Sequence, residues 1–227
     1  MLGELKLPET EGPHPVVVFI HGGFWRAAFD LTHARPLCAA LAAAGFAVWS
    51  LEYRRLGQPG GGYPGTLDDV REAAAHLHAL AGIHPLDLTR VIAAGHSAGG
   101  QLALWLAAQD TLKLRGVVSL AGVADLRLGW SLQLSDGVVG EFMGGTPDEV
   151  PERYAAASPI ELLPMRVPQR IVHGTDDRVV PFVIGERFAK ASGNAELITL
   201  EGAGHSQVID PRSKEWPVVQ TSITDWV

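Results

Sequence analysis

The stretch that decides the fold is VIAAGHSAGGQLALWLAAQ, residues 91–109. An apolar strand-like run, Val91 to Ala94, turns within a few small residues into an alanine- and leucine-rich run with helical character. A single serine, Ser97, stands at the turn with Gly95 and Gly99 on either side. Gly-x-Ser-x-Gly alone is weak, because three such fixed positions arise by chance in about a tenth of chains this long. Between a strand and a helix it predicts a strained elbow that exposes the serine hydroxyl. Flanking glycines are then required, since side chains there would collide with neighbouring elements. The competing reading, a serine that caps a helix, needs none of these glycines.

Working outward, five further runs read as strands: HPVVVFIHGG (14–23), GFAVWSLEY (45–53), RGVVSLAG (115–122), VPQRIVHG (167–174) and AELITLEG (195–202). The strand before the elbow, LTRVIAAGH, covers 88–96. Most are nearly continuous apolar stretches, as strands covered on both faces are. Helices are expected over Leu31–Ala44, Thr66–Ala81, Ala98–Gln109, Pro181–Ala191 and Ser213–Val227. Thr66 and Asp69 have the spacing of an N-cap pair. Strand and helix in alternation predict an α/β fold, a mostly parallel, doubly wound sheet with helices on both faces. Residues 123–166 break the rhythm and form an insert with Trp130, Phe142 and Met143 among polar residues. A segment of that length in a compact domain is expected to be a cap-like or binding element within one domain spanning 1–227.

Composition limits the function classes. The chain has 227 residues, 47% of them hydrophobic and 19% charged, with a net charge of −7. That is ample for one large core, and it disfavours nucleic acid or an anionic membrane surface as partner. The single cysteine, Cys38, lies in an apolar helical run and reads as a buried thiol. The first residues, MLGELKLPETEGPH, have neither the basic nor the apolar region of a signal peptide, and no run is long enough to span a membrane. A soluble, cytoplasmic protein is expected, as monomer or homodimer.

A serine hydroxyl needs a base and an oriented acid to become a nucleophile. After an elbow of this kind the acid and then the histidine follow along the chain. The late histidines are His173, inside a strand and read as a structural hydrogen-bonder, and His205, in the GAGHS loop after the last strand. His205 is therefore the expected base. IVHGTDDRVVP supplies Asp176 and Asp177 after the preceding strand. Asp177 is the expected acid, with Asp176 and Asp125 as rivals. The oxyanion of an acyl-transfer intermediate needs backbone donors: Ala98 after the nucleophile, and Gly23 and Phe24 in the loop HGGFW (21–25). His21 is expected to brace that loop, and Trp25, Trp130 and Phe142 to line the substrate pocket. His76 and His78 lie two apart on a helix, so they cannot share a face as a metal pair. No metal or cofactor is expected.

With HGGFW, GHSAGG, HGTDDRVVP and GAGH in this order, the chain resembles the α/β-hydrolase superfamily over nearly its whole length. HGG followed by an aromatic pair resembles the carboxylesterases near hormone-sensitive lipase and the HGG-x-W kynurenine formamidases. YAAASPIELLP and HGTDDRVVP are similar instead to prolyl-oligopeptidase-type catalytic domains and dienelactone-hydrolase-like proteins. The resemblance implies a triad at Ser97, Asp177 and His205. Two departures stand out. Typical members have two antiparallel strands ahead of the HGG strand, where only MLGELKLPETEG precedes it here. Phe24 also replaces the third glycine of an HGGG loop. Counted with both antiparallel strands, the insert would follow the sixth core strand. The expected activity is hydrolysis of small esters, short- to medium-chain or aryl, through an acyl-enzyme. An arylformamidase or small serine peptidase is the alternative, and a binding protein without chemistry is a third.

Overall fold

Alternation along one strand shows how the sheet is covered. In VVVFI, Val16, Val18 and Ile20 enter one buried cluster, while Val17 and Phe19 enter another. Successive side chains of a strand point to opposite faces, so a strand apolar at every position must be buried on both. The structure, a computed structural model, describes residues 3–227. Its seven strands are β1 (Gly3–Lys6), β2 (His14–Ile20), β3 (Ala47–Leu51), β4 (Leu86–His96), β5 (Leu114–Leu120), β6 (Gln169–Gly174) and β7 (Ala195–Leu200). They form one sheet in the order β1-β3-β2-β4-β5-β6-β7. Only β1 is antiparallel to its neighbour. All six expected strands are present. With one antiparallel strand at the described edge rather than two, the insert follows the fifth strand in chain order and not the sixth.

Helices α1 (Arg35–Ala43) and α9 (Trp216–Thr224) cover one face through Leu37, Leu41, Val219 and Ile223. The other face carries α2 (Gly65–Ala75), α3 (Leu77–Ala81), α4 (Ala98–Ala107) and α8 (Phe182–Ser192). The run expected as one helix over Thr66–Ala81 is broken at His76 into α2 and α3. The expected Thr66–Asp69 cap is also absent. The Thr66 hydroxyl donates to the Arg54 carbonyl and accepts from the Gly62 N–H, while Asp69 holds the Arg54 guanidinium at 2.6 Å. A tertiary partner outcompeted the local cap.

The insert folds as α5 (Leu126–Ser131), α6 (Leu134–Met143), α7 (Pro151–Ala157) and a 3₁₀ turn over 159–162. Leu126, Leu134, Val138, Phe142 and Tyr154 are buried in the same cluster as the sheet. The insert is thus continuous with the core. Parallel strands bring the loops that follow β2, β4, β6 and β7 to one end of the sheet, where open α/β sheets bind ligands.

Candidate active site

The elbow is strained in the expected way. Ser97 has φ 57° and ψ −120°, a conformation non-glycine residues rarely adopt. Its N–H is held by the Leu120 carbonyl at 2.9 Å, and its carbonyl accepts from Gly100 at 2.9 Å. A Cβ on Gly95 would lie 2.1 Å from the Gly99 carbonyl oxygen, and one on Gly99 would lie 2.0 Å from that of Ile20. Both glycines are therefore fixed by backbone contact. Ser97 itself is only 2% exposed.

Asp177 and His205 meet across two loops. The His205 Nδ1–H donates to Asp177 Oδ2 at 2.7 Å, which leaves Nε2 with its lone pair free to accept a proton. The other carboxylate oxygen, Oδ1, accepts from the N–H groups of Val179 at 2.8 Å and Val180 at 2.9 Å. Burial alone would raise the Asp177 carboxyl. Hydrogen bonds from His173 and His205 and the Val180 N–H outweigh it and hold the group far below the usual carboxylate range. His173 is fully buried behind Asp177. Its Nε2–H donates to the Val180 carbonyl at 2.8 Å and lies 3.4 Å from Asp177 Oδ2. Of the rival acids, Asp176 is exposed. Asp125 caps α5 by accepting from the Leu128 N–H at 2.9 Å and faces Arg187. Neither reaches His205.

The HGG loop is held from behind. The His21 ring stacks on Tyr53 at 4.4 Å, its Nε2 lies 3.0 Å from Glu52, and the Tyr53 hydroxyl donates to the His21 carbonyl at 2.9 Å. Arg55 closes on the same Glu52 carboxylate. Burial pushes Glu52 up, but the hydrogen bond from His21 and the charges of His21 and Arg55 bring it below its ordinary value. Gly23, Phe24 and Trp25 have φ of 111°, 50° and 55°, three left-handed residues in succession. The N–H groups of Gly23 and Phe24 have no acceptor among the described residues. The same is expected of Ala98 at the first position of α4, where helix N–H groups lack intrahelical partners.

Two of the aromatic residues expected in the pocket are packed into the core. Trp25 is 0% and Phe142 1% exposed, and the two rings stack at 4.4 Å. The Trp25 Nε1–H donates to Gln101 on α4 at 3.1 Å, and Gln101 donates in turn to the Ala157 carbonyl. They form a wall between the HGG loop, α4 and the insert and present no surface to a ligand. Trp130 is half-buried. Beside Ser206 opens a cleft of about 530 Å³ walled by His33, Ile209, Asp210 and Arg212. Among the described residues, no group of three or more His, Cys, Asp or Glu side chains could hold a metal ion. No helix there is long and apolar enough to cross a membrane. Burial raises the Cys38 thiol to about 11, which keeps it protonated and unreactive.

Motif reading missed Glu52, Arg55, His96 and Gln101. Their partners lie far away in sequence, so no local pattern announces them.

A model of the BD-FAE family matches residues 4–191. The chain belongs to the BD-FAE family. Among curated proteins, this BD-FAE chain is similar to a probable isoprenylcysteine alpha-carbonyl methylesterase of Oryza sativa subsp. japonica. The two are 28% identical over 234 residues, covering 90% of this chain and 55% of the rice protein. It is also similar to esterase LipC of Mycobacterium tuberculosis, 27% identical over 219 residues, covering 85% of this chain and 53% of LipC. The chain thus spans about half the length of these curated relatives. Among solved structures it is similar to esterase 2 of Thermogutta terrifontis, with a TM-score of 0.69 and 25% identity over 88% of this chain and 76% of that one. The BD-FAE chain has the α/β-hydrolase fold.

Proposed function

We propose that the chain is a serine hydrolase of small carboxylic esters that works through an acyl-enzyme. The observation that carries this reading is the 2.7 Å contact between His205 Nδ1 and Asp177 next to a serine elbow with φ 57°. Ser97 Oγ attacks the ester carbonyl, and His205 Nε2 takes its proton and then gives it to the departing alcohol. Asp177, ionised well below neutral pH, orients the ring and balances the imidazolium. The N–H of Ala98 and those of Gly23 and Phe24 receive the oxyanion, each such donor being worth about 10²–10³ in rate. Water then repeats the sequence on the acyl-enzyme.

Esterases among the curated relatives support the ester bond. The near-complete burial of Ser97 supports a short acyl group or a compact aryl ester. The test is turnover of p-nitrophenyl acetate, butyrate and octanoate beside N-formylkynurenine, with wild type and Ser97→Ala. Fast, Ser97-dependent cleavage of the short esters is expected. A formamide kcat/KM above every ester's would make the protein an arylformamidase. Ester cleavage that survives Ser97→Ala would overturn the mechanism.

A further inference from the structure

His96, the residue between Gly95 and the nucleophile, is buried to 6% exposure and takes no part in the chemistry above. Its surroundings are specific. Nε2 lies 3.0 Å from the His205 carbonyl oxygen, and the two imidazole rings lie 4.5 Å apart. Because that partner is an acceptor, Nε2 carries the proton. Nδ1 is buried with no hydrogen-bond partner and lies against the HGG loop, where a Cβ on Gly22 would approach it to 3.1 Å. His96 therefore touches all three loops of the site: the HGG loop through Gly22, the elbow through Ser97, and the base loop through His205.

We infer that His96 is a positioning residue, whose Nε2–H anchors the His205 carbonyl to the nucleophile elbow and so fixes the base over Ser97. The inference rests on the Ser97–Asp177–His205 reading above. The other ties of the base loop lie on either side of His205. Asp176 N–H donates to the Ala203 carbonyl at 3.0 Å, and Gly204 N–H to the Gln207 side chain at 3.1 Å. Neither holds His205 itself, and among the described residues the one hydrogen-bond partner of its side chain is Asp177, at Nδ1. The anchor must also stay uncharged, because an imidazolium at His96 would oppose the one that forms on His205. Three titratable groups face it: His205 from the loop after β7, Asp177 from the loop after β6, and His33 from the 3₁₀ turn before α1. Burial, then the charge of His205, keeps His96 well below its ordinary value, so it stays neutral through the working range.

The test separates the anchor from bulk packing. A fluorophosphonate reports the first step alone: Ser97 Oγ bonds to phosphorus, fluoride leaves, and the serine proton passes to His205. In His96→Leu the labelling rate and the kcat for p-nitrophenyl butyrate should fall ~30- to 100-fold with KM nearly unchanged, as expected for a base displaced by about 1 Å. His96→Gln, whose amide N–H reaches the place of Nε2, should recover most of the loss. Labelling of His96→Leu at the wild-type rate overturns the inference, and so does an equal fall in the leucine and glutamine variants. Nitrogen NMR of the wild type needs no variant to fold. A proton on Nε2 and none on Nδ1 between pH 5 and 8 is expected, and the opposite tautomer refutes the anchor. A wild type that the probe does not label overturns the Ser97 reading instead, a distinguishable failure.

Discussion

The loop that carries Asp177 and the loop that carries HGG do neighbouring jobs but are built in opposite ways. Asp177 is held by its own local chain, through the N–H groups of Val179 and Val180, two and three residues on. A short polar side chain that captures the next N–H groups makes a turn wherever it occurs. The HGG loop closes one local turn, Arg26 N–H donating to the Gly23 carbonyl at 3.0 Å, but leans far more on the rest of the molecule. Of its three left-handed residues, Gly23 adopts that conformation freely, but Phe24 and Trp25 each carry a conformational cost of about 1–3 kcal/mol. They are kept there from outside, by the Tyr53 ring under His21, by Phe142 on Trp25, and by Arg26 paired to Glu141 of α6 at 3.1 Å. A site group can thus be fixed by its immediate sequence or by distant packing, and the two should fail differently.

The largest effect tests what both loops serve. Ser97→Ala should cut turnover ~10⁴–10⁶-fold while the protein melts where the wild type does. Next comes the locally built loop. Asp177→Asn should lower kcat ~10³–10⁴-fold, whereas Asp176→Asn should leave it unchanged in the same steady-state assay. Asp125→Asn keeps a side-chain oxygen that can cap α5, so it should change stability by well under about 1 kcal/mol and spare turnover. If Asp125→Asn rather than Asp177→Asn abolished turnover, the acid assignment would be wrong and the comparison with it. The externally supported loop should respond in stability first. Phe142→Ala should cost ~3–5 kcal/mol by calorimetry, since it empties a fully buried ring site.

Smaller effects sharpen the contrast. The folded-state carboxyl of Asp177 is depressed, so its contribution to stability is present above the ordinary carboxylate range and is lost as pH falls through it. Acid unfolding curves of the wild type should therefore drop more steeply below about pH 4 than those of Asp177→Asn. An unchanged curve would mean the carboxylate is not held as described. Smallest of all, Glu141→Gln should cost under about 1 kcal/mol, because the Arg26–Glu141 pair is solvent-exposed. A larger loss would show that α6 holds the HGG loop by charge as well as by packing.

Legibility in the sequence followed the same division. The six strands and the strained elbow could be read because each rests on local pattern: period-two burial and small residues at a forced turn. The candidate Ser97, Asp177 and His205 were legible in the same way, from an acid and a histidine just past strand ends. Trp25 and Phe142 were expected in the pocket and lie in the core, since an aromatic residue in a loop looks the same whether it faces a ligand or another ring. Thr66 had a capping pattern and gave its hydroxyl to Arg54, a partner twelve residues back. His96 carried no local signal, because its partner, the His205 carbonyl, lies 109 residues on.

By itself the sequence determined the strand and helix alternation, the doubly wound sheet and the residue types of the site, because hydrophobic period and turn chemistry act between near neighbours. The tertiary structure alone decided what supports the HGG loop and what stands behind His205. Those depend on distances between chain segments as far apart as His96 and His205, and no local preference encodes them.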